Sequence, residues 1–150
     1  MSLALAVSED LIIDASVGVK WLIPEILSAE ADRLMTKEIR RHVPTLFYTE
    51  VSQTIWKKDQ VRREIAAEDA RELFRRLRML PIKVHPVDPL IDSSFEIALE
   101  TGRSVYDSIY LALAARNGWK CVTADEKLYN GLKGSRYEAS LIWLADFPAH

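Results

Sequence analysis

Short apolar runs alternate with longer amphipathic stretches along this chain, and that order predicts an α/β fold. Strands separated by helices pair in parallel through right-handed crossovers, and helices cover both faces of such a sheet. We therefore expect a three-layer α/β/α sandwich with a central, mostly parallel sheet of about five strands. No repeat, linker or shift in composition divides the sequence, so we expect residues 1–150 to form one domain with a core over residues 11–147.

The first half of the chain carries two of the predicted strands. Residues 11–13 are wholly apolar, which is typical of a buried parallel strand, and a helix is expected to begin at Ser16. Apolar residues spaced between charges predict an amphipathic helix over residues 28–41, and residues 43–44 form a short extended piece. Two more helices follow over residues 45–58 and 66–79.

Proline and glycine mark most boundaries in the second half of the chain. Residues 81–86 begin and end with proline and predict a strand. Gly102 and Gly118 are helix stop signals, which close predicted helices over residues 89–101 and 104–117. The predicted order ends with a strand over residues 119–123, a short helix after Asp125 and a strand over residues 139–144.

The composition is that of an ordinary globular domain. Of 150 residues, 49% are hydrophobic and 28% are charged, with a formal net charge of −2. A domain of this length folds without a disulfide or structural metal, and the lone Cys121 cannot form an internal bridge. The apolar run at residues 3–7 is too short for a signal core, and no run approaches the roughly 20 apolar residues of a membrane helix. We expect a cytoplasmic protein that does not contact a membrane.

Four acidic residues stand out by their positions. Asp14 and Asp125 each follow a predicted strand, and Asp107 lies in the first turn of a predicted helix. Ligands gather beyond the carboxyl ends of parallel strands, where the loops into the helices converge. Glu50 shares a helix face with apolar residues such as Phe47, where burying an unpaired charge is costly. The sequence therefore predicts that these carboxylates meet in one site.

Each acid also has a purely structural interpretation. Asp14 and Asp125 are suited to be helix N-caps, and Ser104 with Asp107 resembles a capping box. Glu50 is a solvated surface residue if its helix is rotated. Capping explains neither the convergence at one sheet edge nor the position of Glu50, so the joint pattern favours a site.

Clustered carboxylates without cysteine or paired histidine favour Mg²⁺ or Mn²⁺ over zinc. His42, His85 and His150 lie far apart in the sequence without metal-ligand spacing, so we assign them no role. Magnesium and manganese ions held by carboxylates bind substrate phosphates and activate water for attack on phosphorus. The expected chemistry is therefore phosphoryl transfer, with a metal-activated water as the attacking group.

Four stretches in order resemble the PIN domain, and in detail the VapC-like toxins of type II toxin–antitoxin pairs. They are IIDAS at residues 12–16, YTEV at residues 48–51, SVYDSIYLALA at residues 104–114 and TADEKL at residues 123–128. The resemblance implies a PIN-like sandwich and an endoribonuclease that depends on Mg²⁺ or Mn²⁺. The residues that it implies as metal ligands and catalytic groups are Asp14, Glu50, Asp107 and Asp125.

The resemblance also implies supporting residues and partners. Ser16 would act in catalysis by hydrogen bonding near the metal and the attacking water, and Thr123 would have a similar supporting part. The family commonly has Asn three residues after the helical Glu, where this chain has Gln53, whose amide sits one methylene further out. The expected partners are an RNA substrate, a second copy of the chain in a homodimer, and a small antitoxin that occupies the active-site groove.

The charges are distributed unevenly along the chain. Residues 31–85 contain 13 Lys and Arg against 8 Asp and Glu, a net charge of +5, whereas the remaining residues carry −7. A basic track beside an acidic site would attract phosphates, and a solvated helix face with internal ion pairs is the alternative. The candidate contacts to an RNA backbone are Lys57, Lys58, Arg71, Arg75 and Arg76.

Two other functions stay open from the sequence. One is a PIN nuclease that is not a toxin and acts in RNA maturation or DNA flap cleavage. The other is a non-catalytic PIN-fold binding module, in which the carboxylates serve only as helix caps.

Overall fold

A computed structural model describes residues 8–147; the apolar run at residues 3–7 and His150 lie outside the described residues. The strands are β1 (Glu9–Ile13), β2 (Ile39–Pro44), β3 (Lys83–His85), β4 (Lys120–Thr123) and β5 (Leu141–Trp143). They form one sheet in the order β3-β2-β1-β4-β5, and all four pairings are parallel. The predicted fold class is confirmed, and β1 is the central strand.

Helices cover both faces of this sheet. They are α1 (Ala15–Leu22), α2 (Ser28–Asp32), α3 (Leu46–Trp56), α4 (Ala67–Arg78), α5 (Ile91–Thr101), α6 (Val105–Asn117) and α7 (Glu126–Gly131). A π-helix at Lys57–Val61 continues α3, and short 3₁₀ turns lie at Asp88–Leu90, Glu138–Ser140 and Leu144–Asp146. Among residues 8–147, no helix is long and apolar enough to cross a membrane.

The core consists of two hydrophobic clusters on opposite faces of the sheet. Leu11 and Ile13 pack into one cluster with residues of α1 to α4, whereas Ile12 packs into the other with residues of α5 to α7. All three side chains are at most 1% exposed. Because side chains alternate along a strand, an unbroken apolar run is what a strand buried on both faces requires.

The predicted helix over residues 28–41 is wrong in its second half. Helix α2 ends at Asp32, and Ile39–Pro44 forms strand β2 between β1 and β3. The side chain of Arg41 donates hydrogen bonds of 2.8 and 2.9 Å to the carbonyls of Leu34 and Thr36, which satisfies the backbone of the intervening turn. Pairing with two neighbouring strands outweighs the helical spacing of the apolar residues, a long-range effect that local periodicity does not contain.

Two predicted glycine stop signals are present, and a third glycine allows two helices to approach closely. Gly102 and Gly118 end α5 and α6 with φ of +73° and +69°, as predicted. A Cβ atom at Gly18 would collide with the ring of Phe47 on α3. Glycine at this position therefore lets α3 lie close to α1 and to the end of β1.

Two histidines that are distant in the sequence meet in the fold. Nδ1 of His42 on β2 lies 2.9 Å from Nε2 of His85 on β3, and the other nitrogen of His42 lies 2.8 Å from the carboxylate of Asp10. Arg40 hydrogen-bonds to Asp10 and holds the pKa of that carboxyl well below its usual range. This cluster links three adjacent strands, and nothing in the sequence spacing predicted it.

Candidate active site

A cavity of about 480 Å³ opens where β1 and β4 end. The carboxylates predicted from the sequence line this one cavity, and they come from four different segments of the chain. The lining includes Asp14, Ser16, Glu50, Gln53, Lys57, Asp107 and Asp125. Three of its polar members, Thr49, Thr54 and Tyr106, were not predicted as site residues.

Asp14 is held at the end of the central strand by neighbouring hydroxyl groups. Its backbone N–H donates to the carbonyl of Val122, which ties it to β4. Its Oδ2 atom accepts hydrogen bonds from Ser16 Oγ at 2.5 Å and from Thr123 Oγ1 at 3.0 Å. Asp14 occupies the N-cap position of α1, but its side chain makes no capping hydrogen bond to the helix, so capping does not account for its carboxylate.

Ser16 and Thr123 join Asp14 to the loop that carries Asp125. The Ala124 N–H donates to Ser16 Oγ at 3.0 Å, and the Asp125 N–H donates to Thr123 Oγ1 at 3.1 Å. Each hydroxyl thus accepts from the backbone of one segment while donating to the carboxylate of another. This network fixes the spacing between the two strand ends.

Asp125 both caps α7 and faces the cavity. Its Oδ1 atom accepts hydrogen bonds from the N–H groups of Lys127 at 2.9 Å and Leu128 at 3.2 Å. Capping uses this one oxygen, and the side chain still lines the cavity. The structural and functional interpretations of Asp125 are therefore compatible.

Helix α6 supplies Asp107 from its first turn. Ser104 caps the helix by accepting a hydrogen bond of 3.0 Å from the Asp107 N–H. Because serine performs the capping through its own hydroxyl, the Asp107 carboxylate is left to point into the cavity.

Glu50 reaches the cavity from α3 and is bound by a tyrosine. The hydroxyl of Tyr110, one turn after Asp107 on α6, donates to Glu50 Oε1 at 2.8 Å. Tyr110 is only 1% exposed. Tyr110 lies within one of the family-like stretches of the sequence but has no predicted role there, because only the fold brings its hydroxyl to a carboxylate 60 residues away in the chain.

Burial and mutual repulsion disfavour negative charge in this cavity. Burial raises the pKa of Asp14, with a further contribution from the charge of Asp125. Burial, together with repulsion from neighbouring carboxylates, raises the pKa of Glu50 to about 7 and that of Asp107 to about 6. Within residues 8–147, none of the four carboxylates forms an ion pair.

A hydrated divalent cation fits this set of oxygen donors. In the described part of the chain, no group of three or more His, Cys, Asp or Glu side chains is arranged to hold a metal ion by itself. Mg²⁺ usually keeps several of its waters and is bound through one or two carboxylates rather than a complete protein cage. Four unpaired carboxylates around an open cavity match that mode of binding, and their repulsion would be relieved by a cation.

The predicted basic residues divide into two groups. Lys57 lines the cavity itself and, among the described residues, makes no ion pair. Lys58, Arg71 and Arg75 lie outside the cavity and pair with glutamates, Lys58 with Glu64 at 3.1 Å. Arg76 is exposed on α4, apart from the cavity. The solvated-face interpretation thus describes the paired residues of the basic segment, which is the stretch of net charge +5 at residues 31–85.

The sequence matches the family described as the PIN domain over residues 11–131. The chain belongs to the PIN-domain family. Over 121 aligned residues it is 32% identical to a protein named Ribonuclease VapC3 from Pyrobaculum aerophilum, with 79% of this chain and 91% of that protein covered. The resemblance to PIN domains of the VapC type is therefore confirmed.

Solved structures share the PIN fold of this chain. The crystal structure of PAE2754 from Pyrobaculum aerophilum has a TM-score of 0.64 at 23% identity and covers 89% of this chain and 88% of that chain. A toxin–antitoxin complex from Klebsiella pneumoniae has a TM-score of 0.62 at 14% identity and covers 89% of this chain and 97% of that chain. At these identities the likeness shows the fold alone.

We predict that Asp107→Asn stabilises the metal-free PIN domain. The folded pKa of Asp107 is raised above its ordinary value, so the ionised carboxylate lowers stability as the pH rises from 4 through about 6. Since the group is partly solvated, we expect a gain of about 1 kcal/mol at pH 7.5, or about 2–4 °C in Tm. Thermal unfolding in EDTA at pH 7.5 and at pH 4 measures this difference, which should vanish at pH 4.

The matched control is Asp92→Asn, which changes an exposed acid on α5. It should leave the Tm at pH 7.5 nearly unchanged, and Mn²⁺ should still stabilise it. A lower Tm for Asp107→Asn at both pH values would contradict burial and repulsion of the ionised carboxylate as the cause of the effect.

Proposed function

We propose that this chain is a single-domain, Mg²⁺- or Mn²⁺-dependent endoribonuclease and the toxin of a VapBC-type pair. The observation that carries the proposal is the convergence of Asp14, Glu50, Asp107 and Asp125 on one cavity, where none of them forms a salt bridge with another described residue. The VapC name of the 32% identical relative supports RNA as the substrate. The proposed products have 5′-phosphate and 3′-hydroxyl ends.

The four carboxylates would hold the cation, which when bound lowers the pKa of water and stabilises charge on the phosphate oxygens. Ser16 and Thr123 orient Asp14 by binding the same oxygen, Oδ2, which leaves Oδ1 directed elsewhere. Gln53 lines the cavity as an exposed amide and is suited to hydrogen-bond to the substrate or to a carboxylate. These groups would orient the carboxylates and the substrate, because catalysis of phosphoryl transfer depends mainly on positioning and electrostatic stabilisation.

The direct test is cleavage of structured RNAs by the purified chain. Activity should appear with Mg²⁺ or Mn²⁺, be abolished by EDTA, and fall at least about 100-fold in Asp14→Asn, equal to about 2.7 kcal/mol. Asp92→Asn should retain full activity. Expression of the wild-type chain should arrest growth, and Asp14→Asn should not. Full cleavage activity in Asp14→Asn or in EDTA would refute the assignment.

Lys57 is the proposed contact between the cavity and the RNA backbone, with Lys58, Arg71, Arg75 and Arg76 as a more distant track. We expect Lys57→Ala to weaken RNA binding. The slope of log binding constant against log salt concentration should become less negative by about 0.7, the value for one phosphate contact to a single strand. Arg75→Ala should have a smaller effect, because Glu72 already pairs with Arg75 at 2.6 Å. Binding is measured in the Asp14→Asn background, so that the RNA stays intact.

Equal losses for Lys57→Ala and Arg75→Ala would favour a continuous track over a local contact. No change in affinity or salt dependence in either variant would favour the alternative interpretation, in which these basic side chains form a solvated helix face and do not bind RNA.

A small antitoxin is the proposed protein partner. The cavity is acidic and unpaired within residues 8–147, so a basic side chain inserted among the carboxylates would neutralise it and exclude the cation. The structural likeness to a chain of a Klebsiella pneumoniae toxin–antitoxin complex supports such a partner.

A homodimer is proposed through helix α5. Ile91, Phe95 and Leu99 are 41%, 53% and 66% exposed and, at a spacing of four residues, form an apolar stripe on one face of the helix. An exposed stripe of this kind marks an interaction surface. Static light scattering should give twice the 17.1 kDa of one chain. Phe95→Glu should give the monomer mass, whereas Ile26→Glu, at an exposed position outside α5, should stay dimeric.

A further inference from the structure

Three of the four cavity carboxylates have one oxygen held by hydrogen bonds from hydroxyl or backbone N–H groups. Asp14 uses Oδ2 to accept from two hydroxyls, and Asp125 uses Oδ1 to cap α7. Glu50 uses Oε1 to accept from Tyr110. A hydrogen bond to one oxygen fixes the orientation of the carboxylate and thereby the direction in which the second oxygen points.

Glu50 differs from the two aspartates because its side chain is longer. It has one more rotatable bond than aspartate, and it is positioned by a helix rather than by the end of a strand. Among the described residues, the Tyr110 hydroxyl makes the only hydrogen bond to its carboxylate. The orientation of Glu50 therefore depends on that single contact.

Tyr110 is itself held rigidly. It is 1% exposed and packs in the hydrophobic cluster that contains Ile12, Leu111 and Leu128. It lies on the same helix as Asp107, so α6 fixes one carboxylate directly and a second through the tyrosine hydroxyl. Metal ligands in proteins are commonly oriented by hydrogen-bond partners that core packing holds in place.

We propose that Tyr110 is a positioning residue, which holds Glu50 so that a single oxygen faces the cavity and thereby sets the affinity for a divalent cation. The inference rests on the proposed function, in which Glu50 contributes to the cation site. Tyr110 is buried and does not line the cavity, so its proposed role is exerted through Glu50.

The test is the Tyr110→Phe variant, which removes the hydroxyl and keeps the ring. Mn²⁺ affinity is measured by electron paramagnetic resonance or calorimetry on protein without RNA. We expect the dissociation constant to rise about 10-fold or more, as is common when a partner of a metal ligand is lost. The Mn²⁺ concentration for half-maximal cleavage should rise by a similar factor, with a smaller change in kcat at saturating Mn²⁺.

A matched control is Tyr137→Phe, which removes a hydroxyl from another buried tyrosine of the same cluster, outside the cavity lining. It should bind Mn²⁺ as the wild type does. A double-mutant cycle with Glu50→Gln gives the specific readout, because Tyr110→Phe should cause no further loss of affinity once the carboxylate is absent.

Each outcome decides between the two proposals. Wild-type protein that neither binds Mn²⁺ nor cleaves RNA overturns the proposed function. Wild-type protein that does both, with an unchanged Mn²⁺ dissociation constant in Tyr110→Phe, overturns only the role of Tyr110. A Tyr110→Phe variant that fails to fold, or that loses equal affinity in the Glu50→Gln background, shows that the hydroxyl is structural and overturns it as well.

Discussion

Repulsion among partly buried carboxylates is the constraint on which the rest of the site depends. Burial is the largest cause of the raised pKa of Asp14, Glu50 and Asp107, and the charges of neighbouring carboxylates raise all three further. A fold that brings these groups together gives up stability that ordinary pairing with Lys or Arg would have supplied. Its other elements hold the carboxylates in place: the two strand ends, the cap of α6 and the close packing of α1 on α3.

Hydroxyl groups rather than basic side chains hold two of these carboxylates in place. Ser16 and Thr123 bind one oxygen of Asp14, and Tyr110 binds one oxygen of Glu50. A hydroxyl donor orients a carboxylate without neutralising it, so the cavity keeps its negative charge for a positively charged ligand. An arginine in the same place would bind both oxygens and occupy the site.

The basic segment is organised by distance from the cavity. Lys57 follows directly on α3 and lines the cavity, whereas Arg71 and Arg75 pair with glutamates one turn before them on α4. A net charge summed over residues 31–85 cannot distinguish these environments. The contribution of a charge to a ligand depends on whether it is already paired.

The sequence by itself determined the order of the elements, the central buried strand at residues 11–13, the glycine stops after α5 and α6, and the four acidic residues that line the cavity. These features have local signatures in apolar runs, turn residues and the position of acids after strands. The tertiary structure alone decided the first part of strand β2 (residues 39–42), the contact between His42 and His85, and the hydrogen bond between Tyr110 and Glu50. Each joins segments far apart in the chain, and the energy of such a contact is absent from any local pattern.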